Sequence, residues 1–203
     1  MKHYQKLNLL GGLALAGVAL VVGLAAAKNT EPRTKPKLAV SIKPQHVADA
    51  LRAVVSAERE VYTQVVVHRL QDQEKVIKAS VRWQEDKALP TPCQMFRLNS
   101  EAFASKGVEL SYVLRALQPI NQRNAPETDV EKKGLEFVAK HPEQAFYGEE
   151  LLGGRWYFTA VYPDVAFNQS CVTCHNQHHD SPRKDLKLGD VMGGVVVRVA
   201  LEL

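Results

Sequence analysis

The sequence predicts an α+β domain, and three observations lead there. From His46 to about Glu74, apolar residues recur every three or four positions, the period of an amphipathic helix. Phe146–Pro163 holds two strand-like runs joined by Gly153-Gly154, a hairpin signal. The C-terminal GGVVVRVALEL alternates, so Val195, Val197, Val199 and Leu201 fall on one face of a last strand. A long helix leading into further helices and an antiparallel sheet is an α+β arrangement, expected over residues 45–203.

The elements follow in order. Val47, Ala50, Leu51, Val54, Val55, Ala57, Val61, Val65 and Leu70 form the apolar stripe of the long helix, with Arg52, Glu58, Arg59 and Arg69 between them. A second helix is expected within Thr91–Ser105, and a third from about Thr128 to Lys140, ended by His141-Pro142. Val108–Leu117 alternates apolar and polar residues and reads as a strand. There is no internal repeat and no low-complexity tract.

Upstream of this domain the chain changes character. Leu9 to Ala27 is free of charge and follows the basic start MKHYQK. Nineteen such residues would span about 28 Å as a helix, close to the hydrocarbon thickness of a bilayer. The run is longer than the usual core of a cleaved signal peptide, about 7–15 residues, which favours an uncleaved anchor. Ala25-Ala26-Ala27 nevertheless offers the small residues a signal peptidase accepts, so residues 1–28 are read as signal peptide or membrane anchor. Residues 29–44, with Pro32, Pro36 and Pro44 among charges, read as a semi-extended linker.

Charge supports the same division. The 203 residues carry 26 Lys and Arg against 22 Asp and Glu, a net charge of +4. Residues 1–37 contain Lys2, Lys6, Lys28, Arg33, Lys35 and Lys37 but only Glu31, which leaves the rest at −1. The excess basicity flanks the apolar run, and no basic stripe is left in the domain for a nucleic acid.

The chemistry is carried by Cys171-Val172-Thr173-Cys174-His175, a C-x-x-C-H pentapeptide of the kind that attaches c-type haem. Two thiols three residues apart can each add to one vinyl group, and the adjacent histidine can offer its imidazole to the iron as proximal ligand. On a helix these three positions share a face. With 3 Cys and 7 His in the chain, a chance match is of order one in a thousand. Haem attachment of this kind needs an exported chain, and residues 1–28 supply an export segment. Three other chemistries stand beside this one: a redox dithiol, a Cys171–Cys174 disulfide, and zinc held by Cys171, Cys174 and two of His175, His178 and His179.

The run CVTCHNQHHDSPRKDLKLGDVMGGVVV resembles the c-type-haem-binding, PAS-like domain family of bacteria, including cyanobacteria, whose function is unassigned. Its matching pieces are C-x-x-C-H-N-x-H-x-D-S-P, then K-L-G-D-x-x-G, then a final strand. The long helix, Leu89–Pro92 and the strand order are similar more loosely, so the resemblance covers about residues 40–203. It implies a PAS-like antiparallel sheet packed with a long N-terminal helix, holding one haem c outside the cytoplasm. In some members a distal iron ligand comes from that helix, which here contains no Cys or Met, only His46 and His68.

The sixth iron position therefore has four candidates: His68 on the long helix, Cys93, Met192 in the GDVMGG turn, and His178. His178 lies so near His175 that a hydrogen bond to a propionate or to the haem surroundings suits it better than the opposite haem face. Cys93, the one cysteine outside the motif, could ligate iron, bridge two chains of a homodimer, or be buried. Asp180-Ser181-Pro182 reads as a turn, Arg183 or Lys184 as a propionate partner, Gly189 as a positive-φ residue and Asp190 as a backbone hydrogen-bond acceptor. Tyr147, Trp156 and Tyr157 read as core or haem-packing residues.

The expected protein is an exported monohaem c-type cytochrome domain. It would lie on the periplasmic side of the inner membrane if anchored, or be soluble in the periplasm if cleaved. Its first expected role is a haem-based redox or small-ligand sensor, its second an electron carrier, each with a protein partner in the periplasm and none involving nucleic acid. A haem enzyme ranks below both, since no distal acid/base pair stands out.

Overall fold

The last strand, β6 (Val191–Ala200), organises the domain in the computed structural model, which describes residues 42–201. The expected signal or anchor, residues 1–28, and residues 29–41 of the linker lie outside the described residues. Among the described residues no helix is long and apolar enough to cross a membrane.

The sheet has four antiparallel strands in the order β3-β6-β5-β4, where β3 is Leu110–Arg115, β4 Phe146–Leu152 and β5 Arg155–Val165. β6 pairs Val197 with Tyr112 on one side and with Ala160 on the other. β4 and β5 form the expected hairpin, closed by Gly153 at φ 59° and Gly154 at φ 82°. Positive φ at both loop residues is what a type I′ turn needs, and glycine supplies it without a steric cost.

Helices cover both faces. On one, α1 (Pro44–Val61) and α2 (Pro92–Ala104) bury Ala48, Val55 and Phe96 against Tyr112, Ala160, Tyr162, Val195 and Val197. On the other, α3 (Asp129–Lys140) buries Leu135 and Val138 against Val161 and Val196. The alternation in the last strand is therefore real, but its second face is buried too. Residues expected on the polar side, such as Val196, are as deep as those expected inside.

The helix ends are set by the expected signals. Thr91 and Gln94 form a reciprocal capping box with Pro92 at the first turn of α2, and the Thr128 hydroxyl accepts from Glu131 N–H at 3.1 Å. The long helix does not stay α. At Tyr62–Gln73 it continues as a π-helix, with Glu74 N–H donating to Arg69 O at 2.9 Å. The Thr63 hydroxyl donates to the Arg59 carbonyl at 2.7 Å, competing for a ladder acceptor where the change begins.

Three further differences from expectation stand out. Val54, Val61 and Val65, placed on the apolar stripe, are more than half exposed, because the stripe is wider than the sheet it covers. Val54 and Val61 border a cavity of about 630 Å³ between α1, its π continuation and α2. Trp156 is exposed at the hairpin end rather than packed in a core. A short parallel pair, β1 (Ala79–Ser80) with β2 (Leu89–Pro90), has too few residues to show a period.

The fit between α3 and the sheet leaves no spare volume. A Cβ built on Gly134 would lie 2.4 Å from Val161 Cγ2. Alanine gains about 1 kcal/mol of helix propensity over glycine, but overpacking a core costs about 1–3 kcal/mol. Gly134→Ala is expected to lower Tm in thermal unfolding followed by circular dichroism; a raised Tm would mean that α3 can move off the sheet.

Candidate functional site

Between β5 and β6 the chain leaves the sheet and returns. The neck is closed by Ala166 N–H donating to Asp190 O at 2.9 Å and Gly189 N–H donating to Ala166 O at 3.0 Å. Gly189 takes φ 89°, and the Asp190 carboxylate accepts from Lys187 N–H at 3.0 Å, the roles expected of both residues.

Above the neck stands α4 (Gln169–Gln177), capped by Asn168, whose side chain accepts from Ser170 N–H at 2.8 Å. Cys171, Cys174 and His175 sit at positions i, i+3 and i+4 of this helix and so share one face. Val172 points the other way and is buried, which pins the helix to the body. Ser170 Oγ donates to Asp72 Oδ2 at 3.0 Å, so the end of the long helix meets the start of α4.

Near the start of α4 lies a charged pair that no local sequence signal marks. Arg59, buried on α1, is paired with Asp164 of β5. Its guanidinium carbon is 5.9 Å from the Phe96 ring centroid of α2 and 5.7 Å from that of Phe167, just before α4. Four elements thus converge on one side chain. Burial works against the Arg59 charge, yet Asp164, with Cys93 and Cys171, holds its pKa above the ordinary value.

The three motif residues feel this pair. Burial pushes the His175 imidazole below its usual pKa; Asp164 opposes that shift, while Arg59, His178 and Arg183 add to it. Burial raises both thiols, and at Cys171 Arg59 pulls down while Asp164 pushes up. A reactive redox dithiol needs the opposite, a lowered thiol pKa. The disulfide is also absent: Cys93, Cys171 and Cys174 are all free.

The candidate ligands separate. Cys93 is the second residue of α2, one turn before Phe96 and on the same face. It is exposed at the surface, yet the surrounding protein pushes its thiol up to about 11, with Arg59 pulling down and Cys171 and Cys174 among its neighbours. His68 is half-exposed on the π segment and bonded to Asp72 at 2.9 Å, the carboxylate that also holds Ser170. Met192 is the extra residue of a bulge where Asp164 pairs with Gly193 and Val165 with Val191. His178 ends α4; its Nδ1 accepts from Asp180 N–H at 3.2 Å and its ring stacks on His179.

Zinc would need two cysteine sulfurs and two histidine nitrogens to converge. Among the described residues, the group whose ligand atoms come within 4.8 Å of one another is His178, His179 and Asp180, without either cysteine. Haem fits better: two free thiols and an imidazole share one helix face. Arg183 and Lys184, the expected propionate partners, are engaged within the loop, Arg183 with Asp185 and Asp190, Lys184 with the His178 carbonyl.

An antiparallel sheet between helices, with a C-x-x-C-H helix inserted between its last two strands, defines the class. The particular family is given by a family model described as "Tll0287-like: Tll0287", which matches residues 33–200; the chain belongs to that family. This is the PAS-like group that the sequence resembles. Among solved structures, that of the cyanobacterial heme-protein Tll0287 is similar, with TM-score 0.51 and 15% identity over 79% of this chain and 98% of that one. No curated protein matches the sequence.

The loop after α4 is clipped by Asn176, whose Nδ2 donates to Leu186 O at 2.9 Å and whose Oδ1 accepts from Leu186 N–H at 3.0 Å. Removing both bonds leaves a half-buried backbone amide and carbonyl unpaired, at about 1–3 kcal/mol. Asn176→Ala is expected to speed hydrogen exchange at Leu186 N–H while leaving the sheet amides protected; unchanged exchange at Leu186 would show that the loop holds without the clip.

Proposed function

We propose that the domain carries one covalent haem c, attached through Cys171 and Cys174 and ligated on its proximal side by His175. The carrying observation is that these three groups lie on one face of α4, held by Asn168 and Val172, with Cys93 of α2 close enough to feel both cysteines. Bound there, the haem supplies one-electron chemistry and an iron site for small ligands. Burial lowers the His175 pKa and so favours the neutral imidazole, the form that offers a lone pair to a metal.

Cys93 is the distal candidate we favour. It is the one among the four whose surroundings include both attachment cysteines. His68 and His178 already have hydrogen-bond partners on the surface.

The role we favour is sensing of redox state or of a small ligand, read by a partner outside the cytoplasm. Two contacts support it: Ser170 with Asp72 joins α4 to the long helix, and Arg59 with Asp164 joins that helix to the strand that leads into α4, the helix being the element that follows residues 1–28, the proposed anchor, and their linker. Electron carriage is the second reading, favoured by the exposure of Cys174, which puts an edge of the site at the surface.

Made with a haem-maturation system, the protein is expected to stain for covalent haem after denaturation, and Cys171→Ser/Cys174→Ser to lose the stain. A wild-type protein without covalent haem would overturn the assignment. Cys93→Ala is expected to change the low-spin ferric spectrum while His68→Ala and Met192→Ala leave it unchanged. The reduced form is expected to bind carbon monoxide; no binding, together with rapid electron exchange with a small cytochrome, would favour the carrier.

A further inference from the structure

We propose that the buried Arg59–Asp164 pair sets the reduction potential of the haem, the guanidinium favouring the reduced iron and the carboxylate the oxidised iron. The inference rests on the reading of α4 as the haem-bearing helix and extends it to two residues outside the motif.

Three observations support it. The pair is withdrawn from water, with side-chain exposures of 8% for Arg59 and 12% for Asp164, so its field is weakly screened. The phenyl rings of Phe96 and Phe167 flank the guanidinium, fixing it between α2 and the residue that enters α4. Asp164 sits at the bulge of β5 and β6, two residues before the neck of the α4 excursion, so the pair lies at the foot of the site.

Stability alone gives a weak reason for such a pair. Taking both charges out of water costs most of what their attraction returns, and apolar replacements of buried pairs are often neutral or better. A local field is something apolar side chains would not provide. When the ferric group takes one electron from a one-electron donor, its net charge falls by one with no bond made or broken. A nearby cation therefore favours the reduced state and a nearby anion the oxidised state.

The test is a spectroelectrochemical titration of the full chain with covalent haem attached, recording the Soret and α-band positions. Asp164→Asn leaves Arg59 uncompensated and is expected to raise the potential; Arg59→Gln leaves Asp164 uncompensated and is expected to lower it. Each is expected to change the reduced-to-oxidised ratio at fixed ambient potential by about tenfold, or about 59 mV for one electron. Arg59→Lys keeps the charge and should stay near wild type, and Arg59→Gln/Asp164→Asn should return towards it. If Arg59→Gln does not accumulate, the contrast between Asp164→Asn and Arg59→Lys decides. Shifts of both single variants in the same direction, shifts below threefold, or a change of iron ligation in their place would overturn the inference while the haem assignment stands. A wild-type chain without covalent haem would overturn both.

Discussion

Between Gly194 and Val197 the last strand has no face left for water, and the architecture follows from that burial. A strand of this kind needs a neighbour on each edge and a helical layer on each side, because its backbone groups and both side-chain rows must all be satisfied away from solvent. β3 and β5 supply the edges, α1 with α2 one layer, and α3 the other. The glycines at the start of β6 belong to the same constraint. A Cβ on Gly193 would come 2.3 Å from the Arg115 carbonyl, and one on Gly194 would fall within 3 Å of both Val161 and Leu135.

The layer between α3 and the sheet also contains a polar cluster. Glu131 is fully buried and accepts from Arg115 at 3.2 Å and from Arg198 at 2.7 Å, while Arg198 also donates to Glu150, which accepts from Thr159 at 2.6 Å. All four strands of the sheet and one helix meet in these contacts. Removing any one partner would strand a buried charge, so the cluster acts as a registration device for α3 on the sheet, on the face opposite α1 and α2.

How much of this was legible depended on range. Helix periods, caps, the Gly-Gly hairpin and the attachment motif are local, and each lies where the sequence indicates. Cys171, Cys174 and His175 could be read because one helical turn brings them together. Arg59 could not be, for it sits between Glu58 and Glu60 on a helix where Arg52 and Arg69 read the same way, and its partner lies 105 residues away. Glu131, Arg115 and Arg198 were hidden likewise, since each alone reads as surface charge. The Val54, Val61 and Val65 exposure was missed because periodicity reports a stripe and not what covers it. The π segment escaped because its signal is a competing hydrogen bond rather than a composition.

The neck at Ala166, Gly189 and Asp190 has a consequence for how such domains can diversify. Because the two ends of the excursion are already joined by backbone hydrogen bonds, the segment between them is a cassette set on a closed hairpin. Lengthening a closed loop is cheap, about 0.6 kcal/mol for each doubling. The segment around the C-x-x-C-H turn can thus be extended, shortened or reshaped without disturbing the strand register beneath it. Variation in the segment that carries the motif and constancy in how the domain folds are thereby assigned to different parts of one chain.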